Sequence, residues 1–362
     1  MRTVLSAAVS LLLLSVPAHA DIVIGLAAPI TGNYASFGDQ LRKGAEAAVA
    51  DLNANGGLLG QKVQLLIGDD ACDPKQAVSV ANNMANRKAV FVAGHYCSGS
   101  AIPASDVYAE AGIVFITPAA TNPLLTERKL SNVFRVCGRD DQQGEVAGAY
   151  LADTYKGWRI GFVHDKTAYG KGLADETRKA FVARGGKEVL NETVTPGERD
   201  FSALVTRLKN ERVEVLYYGG YHTESAQIVR QMRLAGLQAP LVSGDATVTQ
   251  EFWQIAGEQG QGTMMTFTPD ARNLPEASSI VKRFRDTGFE PEGYTVYTYA
   301  AVQTWAEAVR KANSTDVAQV SKTLRSGKWA TAIGAVEFDE KGDPKGRQYV
   351  LYRWFNGQYQ PI

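Results

Sequence analysis

Apolar strands and amphipathic helices alternate along most of the chain. Residues 22–27 are predicted to form a strand, and residues 37–52 a helix, because their apolar side chains recur on one helical face. After residue 140 the order begins again, with a predicted strand at 159–163 and a helix at 172–184. Repeated strand–helix order is typical of parallel sheets with helices on both faces. We therefore predict an α/β protein with two similar lobes, each a doubly wound parallel sheet.

The C-terminal part of the chain departs from this order. It predicts a strand at 263–267, helices at 279–286 and 294–311, and two strands joined by the polar segment 339–348. Those two strands are residues 336–338 and 349–355. Since no Pro-, Gly- or Ser-rich linker separates the lobes, we expect the chain to cross between them along structured segments.

Two turns of small residues follow predicted strands and carry hydroxyl groups. The strand at 89–93 runs into a turn with Ser98, and the strand at 113–116 runs into a turn with Thr121. We expect each turn to open a helix, where unpaired N–H groups and the helix dipole favour a bound carboxylate. Two such turns at neighbouring strand ends predict one small ligand between them.

The N-terminal segment is typical of a cleaved secretory signal. Met1-Arg2 precedes a short apolar run that ends at Ala18-His-Ala20, which matches an A-x-A cleavage site. We predict a signal peptide over residues 1–20, cleavage after Ala20, and a soluble protein in the periplasm. The apolar run is too short to span a membrane, and no cysteine follows the cleavage site to carry a lipid anchor.

Length and charge limit the remaining classes of protein. A chain of 362 residues is too long for one ordinary core and favours two domains. Lys and Arg number 38, and Asp and Glu also number 38, so charge gives no reason to expect a nucleic-acid partner. The hydrophobic content of 45% is typical of a folded protein.

Three cysteines are present, and two of them are expected to pair in an oxidising compartment. Cys72 and Cys97 each follow a predicted strand at the same edge of the sheet, so we predict a disulfide between them. A closed loop of about 25 residues would stabilise the fold by roughly 3 kcal/mol. Cys137 lies in an apolar segment and is predicted to be an inert buried thiol.

Five motifs in combination resemble one known family. They are Asp69-Asp-Ala-Cys-Asp-Pro-Lys-Gln-Ala77, Thr117-Pro-Ala-Ala-Thr-Asn-Pro123, His164-Asp-Lys-Thr-Ala-Tyr-Gly170, Asp200-Phe-Ser-Ala-Leu204 and Tyr217-Tyr-Gly-Gly-Tyr221. From about Asp21 to the C-terminus, the chain resembles the periplasmic leucine/isoleucine/valine-binding proteins of bacterial ABC transporters. The resemblance implies a type I periplasmic binding protein fold, whose lobes close over an amino acid like a flytrap.

The resemblance also implies how the chain is divided. Three crossover segments are expected near residues 136–140, 265–269 and 347–350. The first lobe would then contain residues 21–138 and 269–347, and the second lobe residues 139–268 and 348–362.

Carried over residue by residue, the resemblance implies a site for a zwitterion. Ser98 and Thr121 match the residues that hold the ligand's α-carboxylate by hydroxyl and backbone N–H. The Ala119 carbonyl and the Thr121 hydroxyl match acceptors for the α-ammonium, and Asp245 matches the carboxylate that faces it. Each charge of a buried zwitterion needs a partner, and this set supplies both. Cys72 and Cys97 match the family disulfide.

Aromatic residues are predicted to complete the site. Tyr169 and Tyr221 match second-lobe residues that close over the ligand, and Phe37 is predicted as a further wall. Tyr96 stands where a smaller aliphatic residue is common, and Asp245 is one methylene shorter than the Glu of many members. These two departures favour small ligands such as alanine, valine or γ-aminobutyrate over leucine.

Each site residue also has a simpler interpretation when it is taken alone. Ser98 or Asn122 could be plain helix caps, Tyr169 and Tyr221 half-buried aromatics, Asp245 a turn residue, and Tyr96 part of the first lobe's core. The joint occurrence of these residues in one pattern is what favours a site.

The leading functional hypothesis is a monomeric receptor that delivers an amino acid to the membrane permease of an ABC transporter. One alternative is a ligand sensor of the same fold that feeds a signalling protein, and another is a secreted enzyme. The chain contains no G-x-S-x-G, H-E-x-x-H or P-loop motif. His95 and Cys97 fall short of the three or four ligands of a zinc site, so neither a metal nor a cofactor is expected.

Overall fold

The computed structural model describes residues 21–346 and 348–362. The predicted signal peptide at residues 1–20 lies outside these described residues, as does Arg347. Within them the chain forms two α/β lobes, each built on its own sheet, and no helix is long and apolar enough to cross a membrane.

The first lobe is built on a five-stranded sheet. Its strands are β1 (Ile22–Ala28), β2 (Val63–Asp69), β3 (Phe91–Gly94), β4 (Val114–Thr117) and β5 (Val133–Arg135), and its helices so far are α1 (Ala35–Ala54), α2 (Pro74–Asn86), α3 (Ser98–Glu110) and α4 (Leu124–Glu127). The order is β2-β1-β3-β4-β5, and every pairing is parallel. Because β3 and β4 are neighbours, the two turns that follow them lie side by side.

The second lobe begins the same alternation again. Its elements in order are α5 (Asp140–Thr154), β6 (Ile160–His164), α6 (Ala168–Ala183), β7 (Glu188–Thr193), α7 (Ser202–Asn210), β8 (Val215–Gly219), α8 (His222–Leu234), β9 (Leu241–Ser243), α9 (Gln250–Ala256) and β10 (Met264–Phe267).

Helix α5 was not predicted, and its glycines explain why. Gly144 and Gly148 face α6 so closely that an added Cβ would lie 2.7 Å from the Thr177 nitrogen and 2.6 Å from the Ala180 Cβ, respectively. Helix α5 packs closely on α6 through these glycines. It therefore lacks the stripe of apolar side chains by which an amphipathic helix is recognised in a sequence.

The last part of the chain returns to the first lobe and then to the second. Its elements are α10 (Ser278–Asp286), α11 (Thr295–Ala312), α12 (Val317–Ser326), β11 (Lys328–Thr331), β12 (Gly334–Glu337), β13 (Val350–Phe355) and β14 (Gln358–Pro361). Helix α11 packs on α1, β3 and β4 of the first lobe. In contrast, β13 and β14 add antiparallel strands beside β10, giving the second sheet the order β14-β13-β10-β9-β8-β6-β7.

Two sequence expectations need correction here. The second sheet is mixed, not wholly parallel, because β13 runs antiparallel to β10. The strand predicted at 336–338 overlaps β12 at residues 336 and 337 only, and the partner of β12 is β11; β11 and β14 were not predicted. The predicted bounds of the lobes stay a prediction, and the third crossover segment at 347–350 begins at Arg347, outside the described residues.

Candidate functional site

The two turns of the first lobe contact each other at the edge of the sheet. Ser98 is the first residue of α3, and its Oγ accepts a hydrogen bond from the Asn122 N–H at 3.3 Å. Ser98 therefore joins the two turns and does not cap its own helix. Ser98, Ala119 and Thr121 are all buried.

The second turn differs from its prediction. It leads only into α4, a helix of four residues, and the Asn122 Oδ1 accepts from the Leu124 N–H at 2.9 Å. The N-cap of α4 is Pro123, so Asn122 closes a local turn before the helix and is not its cap, and a helix dipole contributes little at Thr121. No described residue accepts a hydrogen bond from the Thr121 N–H, and its hydroxyl is buried without a partner of good geometry. Thr121 thus offers two polar groups to a ligand.

Buried side chains fix the first turn from behind. The predicted disulfide between Cys72 and Cys97 is confirmed, with 5.5 Å between the two Cα atoms. The Asp70 carboxylate accepts from the Cys72 N–H at 2.8 Å and also contacts the His95 Nδ1. The His95 Nε2 lies 3.0 Å from the Tyr108 hydroxyl. His95 is therefore a core histidine with both ring nitrogens in use.

Thr117 ties the second turn to the first. Its Oγ1 donates to the His95 carbonyl at 2.8 Å and accepts from the N–H groups of Ala119 and Ala120 at 3.2 and 2.9 Å. The Ala119 carbonyl itself receives no hydrogen bond from the described residues. An acceptor is therefore left free beside the unpaired Thr121 groups.

Asp245 is a buried carboxylate that follows β9 of the second lobe. It opens the 3₁₀ turn Asp245–Thr247. Its Oδ1 accepts from the Tyr169 hydroxyl at 2.7 Å and the Gln143 Nε2 at 2.9 Å, and its Oδ2 accepts from the Tyr294 hydroxyl. Because Tyr294 immediately precedes α11, this carboxylate receives hydrogen bonds from both lobes. The turn-residue interpretation of Asp245 is incomplete, since the side chain is held at the lobe interface.

A second carboxylate lies beside the first. The Gln143 Nε2 also contacts the Asp140 Oδ1 at 3.2 Å, whereas the Asp140 Oδ2 is buried without a partner among the described residues. Burial, and then the nearby Asp245, raise the pKa of Asp140 well above its usual range. Burial also raises the pKa of Asp245, opposed by the hydrogen bonds from Tyr294, Gln143 and Tyr169. Such a pair favours a bound cation.

Aromatic rings from both lobes surround the carboxylates. Phe37 stacks on Tyr96 with 4.3 Å between ring centroids, and Tyr96 lies 5.8 Å from Tyr221 of the second lobe. Tyr169 lies 5.1 Å from Tyr221. Tyr96, Tyr169 and Tyr221 are buried, so the half-buried interpretation is wrong for the latter two, and Tyr96 faces the other lobe. The Tyr96 hydroxyl has no partner among the described residues.

The lobes are closed over these residues. The Asn122 Nδ2 of the first lobe donates to the Ala168 carbonyl of the second at 2.6 Å. Tyr34, just before α1, lies over Tyr221 with 4.3 Å between ring centroids. The polar groups named above are therefore buried in a region where the two lobes contact each other.

Metal and thiol chemistry find no support in the described part of the chain. It contains no group of three or more His, Cys, Asp or Glu side chains able to hold a metal ion. The His222 Nε2 contacts the Glu251 carboxylate at 2.9 Å. Cys137 is a free, buried cysteine, and burial raises the pKa of its thiol to about 12.

Four site residues escaped the sequence analysis: Tyr34, Asp140, Gln143 and Tyr294. Asp140 and Gln143 lie in the unpredicted helix α5, and Tyr294 was predicted only as the first residue of the helix at 294–311. One sequence signal could have indicated Tyr294. It follows Gly293 at the start of a predicted helix, where a tyrosine hydroxyl can point away from the apolar face of that helix.

Comparison with known proteins defines the class. Residues 21–358 match the periplasmic binding protein family, to which the chain belongs. It is 52% identical over 341 residues to a Leu/Ile/Val-binding protein homolog 1 of Brucella melitensis, covering 94% of this chain and 92% of that protein. An amino acid binding protein of Pseudomonas aeruginosa is 49% identical, with 100% and 98% covered.

The fold comparison agrees. The branched-chain amino acid transporter substrate binding protein LivJ of Streptococcus pneumoniae, in complex with isoleucine, superposes with a TM-score of 0.85. It is 25% identical, and 95% of this chain and 99% of that chain are covered. These relatives are named as binding proteins and not as enzymes, so the predicted fold class and family are confirmed.

Proposed function

We propose that this protein is the substrate-binding protein of an ABC transporter and captures a branched-chain or small aliphatic amino acid. The observation that carries the proposal is the buried set of polar groups around Thr121. Its N–H and the Ala119 carbonyl have no partner among the described residues, and its hydroxyl and the nearby Asp140 Oδ2 are buried without a hydrogen bond of good geometry. Buried polar groups are normally satisfied, so this arrangement fits a ligand that carries both charges of an amino acid.

The roles follow from the chemistry of each group. Ser98 and the Thr121 N–H receive the α-carboxylate, while the Ala119 carbonyl, the Thr121 hydroxyl and Asp245 accept from the α-ammonium. Asp140 adds a second carboxylate on the ammonium side. Tyr169 and Tyr221 cover the ligand from the second lobe, and the charged ends are thereby matched by groups of opposite polarity.

Ligand size is set by the aromatic wall. Tyr96 is held between Phe37 and Tyr221 and has an unpaired hydroxyl. A fixed ring takes up volume that a leucine side chain would need, and its hydroxyl favours a polar ligand atom. We therefore propose that alanine, valine or γ-aminobutyrate binds at least as well as leucine.

The family and the predicted signal peptide support a role in the periplasm. There the closed, ligand-bound form would dock as a monomer on a membrane permease of the transporter. A ligand sensor would use the same site, but no contact among residues 21–346 and 348–362 favours sensing over transport.

Calorimetry on refolded, ligand-stripped protein tests the proposal. We expect one ligand per chain from a panel of leucine, isoleucine, valine, alanine and γ-aminobutyrate. Thr121→Ala should weaken binding by about 1.5–3 kcal/mol, because a hydrogen bond to a charged group is lost, and Thr121→Ser should restore most of it. Absence of binding across the panel, or full affinity in Thr121→Ala, would contradict the proposal.

A further inference from the structure

A buried arginine lies directly behind the Thr121 turn. Arg135 is the last residue of β5 and is fully buried. Its Nη1 donates to the Ala120 carbonyl at 2.8 Å, and its Nη2 donates to the Asn122 carbonyl at 3.1 Å. The guanidinium therefore contacts the main chain on both sides of Thr121.

Peptide geometry transmits this contact to the ligand side. The Ala120 carbonyl and the Thr121 N–H belong to one planar trans peptide group, in which they point in opposite directions. Holding the carbonyl toward Arg135 therefore fixes the Thr121 N–H toward the opposite side. The next peptide is fixed similarly, because the Thr121 carbonyl accepts from the Asp140 N–H at 3.0 Å and the Asn122 N–H donates to Ser98.

The arginine is itself held in one orientation. Its Nε lies 2.7 Å from the Asp343 Oδ1, and its Nη2 donates to the Thr126 Oγ1 at 2.8 Å. Asp343 also pairs with Arg139 at 2.6 Å. A planar guanidinium with several partners cannot rotate without losing more than one of them. Buried ion pairs add little net stability over apolar side chains. The fixed orientation that these ion pairs give to Arg135 is therefore a better explanation for their presence than stability.

We propose that Arg135 is a positioning residue for ligand binding, which aims the Thr121 N–H into the site by holding the Ala120 carbonyl. The proposal rests on the proposed function for its effect on affinity, but the orientation of the peptide is independent of any ligand. Arg135 does not touch the ligand and acts through the turn.

Two matched variants separate positioning from stability. Arg135→Lys keeps the positive charge for Asp343 but loses the planar fork that reaches both carbonyls. Thr126→Val removes one partner of Arg135 and leaves the Ala120 contact in place. Asp343→Asn serves as a second variant should Arg135→Lys fail to fold, since it retains Arg135 and weakens its anchorage. For each, three quantities are measured: leucine affinity by calorimetry, the free energy of unfolding, and the Thr121 amide resonance in ligand-free, ¹⁵N-labelled protein.

We expect Arg135→Lys to bind leucine roughly ten- to a hundred-fold more weakly and to shift the Thr121 amide resonance. Asp343→Asn should also weaken leucine binding and shift the Thr121 amide resonance, but by less than Arg135→Lys does. Thr126→Val should lower stability and leave affinity and the resonance unchanged. A wild-type Thr121 resonance in Arg135→Lys, or equal loss of affinity in Thr126→Val, would overturn the positioning role. Failure of the unsubstituted protein to bind any amino acid would instead contradict the proposed function, and the resonance would still decide the role of Arg135.

Discussion

The proposed site has two faces, one on each lobe, and the two faces consist of different kinds of chemical groups. On the first lobe, the polar groups assigned to the proposed ligand are main-chain atoms and small hydroxyls of the turns around Ser98 and Thr121, fixed from behind by Thr117 and the disulfide. On the second lobe they are the side chains of Tyr169, Tyr221 and Asp245. The first face is therefore held by contacts within its own lobe, whereas several contacts of the second face reach across to the first lobe.

From this difference we expect the two faces to have separate roles in ligand recognition. Main-chain N–H groups do not titrate and are indifferent to the ligand's side chain, so the first face can recognise any α-carboxylate. Carboxylates and phenols respond to charge, pH and shape, so we expect the second face and the Tyr96 wall to determine which cation and which side chain are accepted. The predictions below test this division, beginning with the largest effect.

Removing the charge of Asp245 should have the largest effect. Asp245→Asn preserves the shape of the side chain but removes the anion that faces the ligand's ammonium. Loss of one partner from a buried, hydrogen-bonded charge pair costs about 2–5 kcal/mol, so affinity for every amino acid in the panel should fall at least about thirty-fold. Calorimetry measures this loss.

The control is Asp175→Asn, a charge removal on the exposed surface of the second lobe, where Asp175 pairs with Lys171. Its effect on affinity should be negligible, because exposed pairs contribute little. If Asp245→Asn bound leucine and alanine as tightly as the unsubstituted protein, the second face would not be the cation-binding face.

Reducing the aromatic wall should have an intermediate effect. Tyr96→Leu removes a ring that stacks on Phe37 and opens space for a branched side chain. Relief of overpacking is worth about 1–3 kcal/mol, so the ratio of leucine to alanine affinity should rise about ten-fold.

Tyr96→Phe is the matched control, since it keeps the ring and should keep the ligand ranking. A parallel loss for leucine and alanine in Tyr96→Leu, accompanied by lower stability, would place Tyr96 among residues that support the fold without selecting the ligand.

The sequence predicted the first face better than the second. Ser98 and Thr121 could be found because each follows a short apolar strand, and local order along the chain decides where such turns lie. The position of Asp245 after β9 could be found in the same way. Two of its partners could not, because Gln143 and Tyr294 are distant from it in sequence, and Tyr294 belongs to the other lobe.

Two local elements differ from what the sequence predicts. The turn at Thr121 was expected to open a helix, but α4 has only four residues, and Lys129 adopts a positive φ of 57° just after it. Helix α5 was missed because Gly144 and Gly148 pack against α6 without an apolar stripe, so that tertiary contacts outweigh local preference.

The smallest expected effect is a pH dependence that belongs to the second face alone. Asp140 is buried beside Asp245, and its raised pKa means that it keeps a proton above the usual range when the site is empty. Arg135 and the Thr121 hydroxyl oppose this shift, and Asp141 adds to it. A ligand ammonium favours the ionised form, so binding should release up to one proton.

The raised pKa of Asp140 determines how both the stability of the fold and the affinity for the ligand change with pH. The proton on Asp140 stabilises the ligand-free fold below the unfolded pKa of about 3.9, and this contribution is lost as the pH rises through the raised pKa. Amino-acid affinity should rise over the same range, by at most about ten-fold per pH unit. Calorimetry in two buffers of different ionisation enthalpy counts the released proton, and Asp140→Asn should abolish it. Equal binding heats in both buffers for the unsubstituted protein would show that Asp140 does not exchange a proton with the ligand's charge.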